Sequence, residues 1–210
     1  MHEPSFATDP ATHRYYERRA AEYDEWYRGE GLFAARDRPG WHEELETLCG
    51  VLGALEPATT VDVACGTAFL SRHLAGGVIG IDMSSGMAEV ARSRIRAVAV
   101  ADALSLPVAE GGVARVFAAH FYGHLPPDER ARFLSEVRRV GCGLVVVDTA
   151  LRPGLPAETW QERVLNDGSR HRVFKRFLSP AQLAVEIGGS VLFDGRWFVA
   201  ASVERDQLNG

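Results

Sequence analysis

The chain has 210 residues, 46% of them apolar and 24% charged, with a formal net charge of −5 at pH 7. This length suits one α/β core and is short for two, and the acidic balance with scattered basic residues gives no general attraction for nucleic-acid phosphate. The first five residues lack the basic start and apolar stretch of a secretory leader, and no run approaches the roughly 20 apolar residues of a membrane span. A cytoplasmic protein without membrane insertion or a nucleic-acid partner is expected.

Taken in order, Asp9 and Pro10 read as the cap and first turn of a helix, with Tyr16, Ala20, Tyr23 and Tyr27 at helical spacing. This face either packs or covers a pocket as a lid. Residues 29–40, rich in Gly and Pro, read as a loop, and Trp41, Leu45, Leu48, Leu52 and Leu55 form the apolar stripe of a second helix ending near Pro57.

From residue 60 short apolar runs alternate with helical patterns: strand 60–64, helix about 68–75, strand 78–82, helix about 85–94, strand 97–101 and strand 113–119. Such alternation argues for βαβ crossovers and a parallel sheet, and Ser84 or Ser85 can cap the 85–94 helix. Pro126-Pro127-Asp128 opens a further helix with Phe133, Leu134, Val137 and Val140 inward, and Gly141 ends it. Leu144 to Val147 is apolar throughout, as a strand covered on both faces should be. Ser179-Pro180 starts a last helix, which Gly188-Gly189 terminates. Asp194-Gly195 between Val191–Phe193 and Trp197–Val199 then marks an antiparallel hairpin. Cys49, Cys65 and Cys142 are too widely spaced for a disulfide framework or a zinc motif and read as reduced core thiols.

The chemistry concentrates after the first strand, at Val61-Asp62-Val63-Ala64-Cys65-Gly66-Thr67-Ala68-Phe69. A dinucleotide fingerprint needs three glycines, yet Ala64, Gly66 and Phe69 occupy their positions. A phosphate-binding Gly-Lys-Ser/Thr loop is also missing. The spacing instead follows acidic-x-Gly-x-Gly-x-Gly, here Asp62-x-Ala64-x-Gly66-x-Ala68, with Gly80-Ile81-Asp82-Met83-Ser84 and Ala101-Asp102-Ala103-Leu104-Ser105-Leu106-Pro107 downstream and Tyr23-Asp24 upstream.

On these residues the chain resembles the class I S-adenosylmethionine-dependent methyltransferases, in particular the small-molecule "type 11" or ubiquinone/menaquinone methyltransferase-like group. The resemblance spans roughly residues 15–203. It implies a Rossmann-like α/β fold with a seven-stranded, mostly parallel sheet, a C-terminal antiparallel hairpin and helices on both faces. As one domain it would comprise an N-terminal helical lid (1–57), a cofactor core (58–150), a substrate-side insertion (151–178) and a last helix with hairpin (179–205). It also implies S-adenosylmethionine as cofactor and a small molecule as methyl acceptor. Alternatives are a non-catalytic cofactor-binding or partner-interaction protein on the same fold, and a non-methyltransfer enzyme using the same cofactor.

The physical logic agrees. This ligand carries no phosphate, so the loop need only admit a zwitterionic methionine moiety, and Gly66 with small Ala64 and Ala68 leaves room, each alanine methyl narrowing the approach slightly. Asp62 favours the ligand's ammonium, and Asp82, at a strand end, accepts both ribose hydroxyls. The resemblance assigns the adenine amino group to Asp102, with Met83 and Leu104 against the purine faces, and adds Tyr23, Ala103 and His120 to the cofactor's surroundings. His120 is the first candidate for a base or orienting group and His124 the second, since imidazole titrates near neutral pH. Tyr15, Tyr122, Arg163 and Arg172 are the expected substrate-side residues. Arg163, Arg170, Arg172, Lys175 and Arg176 either meet an anionic substrate group or form a solvated face, for example a Val173–Phe177 strand with outward charges. Metal ligation is not expected, because His120 and His124 would share a helical face only where Gly123 disfavours helix.

Overall fold

Strands β1 (Thr60–Val63), β2 (Val78–Asp82), β3 (Ala97–Val100), β4 (Arg115–Ala119), β5 (Gly143–Thr149), β8 (Ser190–Asp194) and β9 (Phe198–Val203) form one sheet in the order β3-β2-β1-β4-β5-β9-β8. The structure is a computed structural model that describes residues 6, 9–141 and 143–204; Cys142 lies outside the described residues. β1 pairs in parallel with both β2 and β4, while β9 runs antiparallel to β5. The order reverses at β1, so a crevice opens beyond the carboxyl ends of β1 and β4, where ligands of open α/β sheets sit.

Alternation along the strands divides the core between two faces. Val61, Val63, Val116, Ala118, Leu144 and Val146 pack with Phe133, Val137, Leu183 and Ile187 of α5 (Pro127–Val140) and α6 (Pro180–Ile187). Phe117, Val145, Val147, Phe198 and Ala200 pack against Trp41, Leu45, Leu48 and Leu52 of α3 (Trp41–Gly53). Glu44 of α3 receives the backbone N–H groups of Arg196, Trp197 and Phe198, holding the turn of the β8–β9 hairpin.

The caps expected from the sequence form. Asp9 accepts from Ala11 and Thr12 at the start of α1 (Pro10–Arg19), and Ser84 accepts from Met87 in α4 (Ser85–Ala91). Gly141 and Gly188 end α5 and α6 in the left-handed conformation that glycine adopts without penalty.

Three expectations need correction. The N-terminal helix is interrupted: α1 gives way to a 3₁₀ turn at Ala20–Glu22 and then to α2 (Glu25–Arg28). The 68–75 helix is a single 3₁₀ turn, Ser71–His73, because Ala68 lies in the left-handed region at φ 56° and Gly76 follows closely. The 158–176 region is an antiparallel pair, β6 (Glu158–Val164) and β7 (Arg170–Arg176), separate from the main sheet. Its charges are not all outward: Lys175 and Arg176 are buried, because β7 turns that end against the loop after β4.

Candidate active site

The loop after β1 turns on residues with positive φ: Ala64 at 54°, Gly66 at 53° and Ala68 at 56°. The same loop bonds to the end of β2, where Asp82 accepts the Gly66 N–H on Oδ2 and the Ser84 N–H on Oδ1, both at 2.8 Å. Alanine in this conformation costs about 1–2 kcal/mol that glycine does not incur. The consequence of Ala64 and Ala68 is therefore backbone strain more than a narrowed approach. Ala64 lines the cleft, whereas Ala68 is buried beside Cys65 and Ala91.

Above this loop lies a cleft lined by Ala64, Gly66, Asp82, Met83, Ala103 and His120, with Tyr16 and Tyr23 of the N-terminal segment among its walls. Glu17, which the sequence did not single out, and Asp24 tie that segment down. Glu17 accepts from the Ser84 and Ser85 hydroxyls and from the Gly86 N–H. Asp24 accepts the Thr67 hydroxyl at 2.6 Å and pairs with Arg94 at 2.7 Å.

Asp62 sits under the loop, its Oδ1 buried without a hydrogen-bond partner and its carboxyl pushed up to about 8, chiefly by burial. Asp62 is 2% exposed and does not itself line the cleft. Burial also raises Asp82. The orphaned Asp62 oxygen, the positive-φ loop at Gly66 and the carboxylate at the end of β2 fit S-adenosylmethionine, with its ammonium, methionine chain and ribose. Among the expected cofactor residues, Asp102 holds its own turn by accepting the Leu104 N–H at 2.8 Å, and Met83 is 39% exposed on the cleft rim. Leu104 is buried in the core.

A second chamber shares Tyr16, Tyr23 and His120 with the cleft as lining and is otherwise lined by Arg19, Trp26, His124, Thr149, Arg163 and Lys175. His120 is 8% exposed and, like Ala64, has positive φ, 55°. Its Nδ1 faces Thr149 Oγ1 at 3.5 Å and Asp148 Oδ1 at 3.9 Å, while Nε2 has no partner. Burial lowers the His120 pKa, so the ring is neutral near pH 7. His124 Nδ1 donates to the Phe174 carbonyl at 2.6 Å, which leaves Nε2 as the acceptor facing the Tyr16 hydroxyl at 3.4 Å.

Asp148 underlies both histidines. It accepts the Gly123 and Thr149 N–H groups and forms a buried ion pair with Lys175, whose ammonium holds it far below the ordinary carboxylate range against the opposing effect of burial. A side chain at Gly123 would place its Cβ 2.8 Å from the Arg176 carbonyl and 2.9 Å from Asp148 Oδ2, which accounts for glycine there. The legible signal for Asp148 is a lone carboxylate at the end of the apolar run 144–147.

The expected substrate-side residues divide. Arg163 lines the chamber, and Tyr15 lines an outer cleft next to it. Tyr122 is buried in the core, its phenol pKa raised by burial and by Glu186. Arg172 is exposed and lies over the Trp160 ring, outside both clefts and the chamber. Among the described residues no group of three or more His, Cys, Asp and Glu is placed to hold a metal ion, and no helix is long and apolar enough to cross a membrane.

Residues 60–141 match the family described as methyltransferase domain. The methyltransferase GfsG of Streptomyces halstedii is 32% identical over 105 residues, covering 44% of this chain and 38% of that protein, so the match spans well under half of the relative. Among solved structures, the DhpI–SAH complex is 26% identical, with a TM-score of 0.67 over 94% of this chain and 97% of the other. The DhpI–SAM–HEP complex aligns with a TM-score of 0.71 at 24% identity, over 94% and 98% of the two chains. A possible histamine N-methyltransferase from Thermotoga maritima shares the fold at 19% identity, with a TM-score of 0.63 over 91% and 99%.

Proposed function

We propose, from the premise that this chain belongs to the class I S-adenosylmethionine-dependent methyltransferases, that it transfers a methyl group to a small molecule seated in the chamber beside His120. The observation that carries the reading is that Tyr16, Tyr23 and His120 line both the cleft and the chamber, with His120 Nε2 buried and unpartnered.

When bound, S-adenosylmethionine supplies an electrophilic methyl group on a sulfonium. In this reading Asp62 holds the ammonium end, Asp82 the ribose hydroxyls and Asp102 the adenine amino group, with Met83 and Ala103 beside the purine. The N-terminal helical segment serves as a lid, held down through Glu17 and Asp24. Much of the rate enhancement comes from holding acceptor and methyl donor in line and excluding water.

His120 receives the acceptor's proton on Nε2. The ring is neutral at pH 7, so this nitrogen offers a lone pair, and Asp148 and Thr149 on the opposite side orient it and favour the imidazolium that forms. Tyr16 and His124 position the acceptor from the far wall.

Mass spectrometry of reactions with S-adenosylmethionine and a panel of hydroxy, amino and enolic acceptors tests the reading. A product heavier by one methyl group, formed with stoichiometric S-adenosylhomocysteine, is the expected result. Cofactor binding without any product across the panel contradicts it.

A further inference from the structure

The chamber's polar lining is unbalanced in charge. Lys175 is neutralised by Asp148, and burial holds His120 and His124 below the ordinary histidine range, so both rings are neutral. Arg19 and Arg163 remain. Other bases drawn from the protein surface have acidic partners: Arg94 has Asp24, and Arg176 has Glu158 and Glu186. Among the described residues neither Arg19 nor Arg163 forms an ion pair.

Arg19 is 7% exposed. It gives one hydrogen bond, to the Tyr15 hydroxyl, and its guanidinium otherwise lies 4.8–5.9 Å from the Tyr15, Tyr23 and Phe33 ring centres. Arg163 Nε is buried with no partner at all. A guanidinium carries five N–H donors; Arg19 spends one on Tyr15, and Arg163, partly exposed overall, keeps its buried Nε unspent. Placing cations in such surroundings without a counter-charge is unfavourable. Strand β6 and helix α1 nonetheless bring both to the same chamber that holds His120. Both also line the outer cleft, whose carboxylates are otherwise engaged: Glu22 accepts the Asn166 N–H, and Glu162 pairs with Arg170.

The geometry points to an acceptor that carries an oxyanion, a carboxylate or phosphate group held by the Arg19 and Arg163 guanidinium forks with its nucleophilic atom turned toward His120 Nε2. This rests on the methyltransfer reading above and adds the substrate class. Guanidinium matches such groups with paired N–H donors. Bound there, the anion supplies the counter-charge both arginines lack.

The test uses the intact protein with S-adenosylhomocysteine at saturating concentration, so that the cofactor cleft is not open to the anion, titrated calorimetrically with inorganic phosphate and separately with acetate. At least one anion is expected to bind the loaded wild type, and its identity distinguishes a phosphate from a carboxylate head group. The Arg163→Gln variant should bind it about tenfold or more weakly, the loss of a charge-assisted contact, with S-adenosylhomocysteine affinity unchanged, and Arg163→Lys should recover part of the loss. The inference is overturned if neither anion binds the loaded wild type, or if Arg163→Gln binds as well as wild type. If S-adenosylhomocysteine itself fails to bind, the methyltransfer reading falls first and takes this inference with it.

Discussion

Thr67 donates its hydroxyl to Asp24 at 2.6 Å, across 43 positions of sequence, and Arg94 closes the triangle by reaching Asp24 at 2.7 Å and the Thr67 carbonyl at 3.0 Å. The N-terminal segment is thereby fastened to the loop that turns at Gly66. Removing the carboxylate strands a largely buried guanidinium and an unpaired hydroxyl. Asp24→Ala should cost about 3 kcal/mol, read from the shift in urea midpoint, and should weaken S-adenosylhomocysteine binding because the loop loses its anchor. A variant as stable as wild type would show that the triangle carries little of the fold.

Ala64 and Ala68 make opposite predictions. Both lie in the left-handed region, where glycine relieves about 1–2 kcal/mol but adds unfolded-chain entropy of about 0.4–1 kcal/mol. Ala64 is half-buried on the cleft, so Ala64→Gly should stabilise by roughly 0.5 kcal/mol. Ala68 is buried, and losing its methyl costs about 0.8 kcal/mol more, so Ala68→Gly should be neutral or slightly destabilising. Thermal midpoints of the two variants check the difference in sign.

Asp62 gives a pH dependence with a definite sign. Its carboxyl sits near 8 in the fold, from burial, against 3.8 ordinarily. Between those values the folded chain binds more protons than the unfolded chain, so this group's contribution to stability falls as pH rises from 4 to 8 and is flat above. Asp62→Asn should remove the slope and raise the ligand-free stability at pH 8 by on the order of 1–3 kcal/mol, while weakening cofactor binding. In wild type, ligand binding at pH 7 should release a proton, because the ammonium favours the ionised carboxylate. Calorimetric enthalpies that do not vary with buffer ionisation heat would contradict that role.

His120 should titrate below the ordinary histidine range, since burial outweighs the pull of Asp148. The rate of methyl transfer is therefore expected to stay level through neutral pH and fall only on the acid side, as Nε2 becomes protonated. His120→Gln should lose about 10²- to 10⁴-fold together with that acid limb. A variant with full rate and an unchanged profile would exclude His120 as the base.

Much of the framework was legible because it rests on local chemistry. The Asp9, Ser84 and Ser179 caps, the apolar β5 strand and the Asp194-Gly195 hairpin each carry their signal within a few residues. Of the three acids read as cofactor contacts, Asp82 at the end of β2 lines the cleft, while Asp62 is buried within β1 and Asp102 holds its own turn. The chamber was legible only in part: His120, His124, Arg163 and Lys175 stood out as candidates, whereas Arg19 and Asp148 come from α1 and β5 and only tertiary packing brings them to the others. Alternation along β7 suggested solvent for charges that the loop after β4 in fact covers. The 68–75 segment had helical residues, but the left-handed turn at Ala68 overrode their propensity.

The central claim, an S-adenosylmethionine site built on Asp62, Gly66 and Asp82, is met most directly by calorimetric titration of the wild-type chain and Asp82→Ala with S-adenosylhomocysteine. The account predicts saturable one-to-one binding to wild type and a loss of roughly 1–3 kcal/mol in the variant, the cost of the missing carboxylate contacts. No heat of binding at millimolar ligand, or equal affinity in the two proteins, would contradict it.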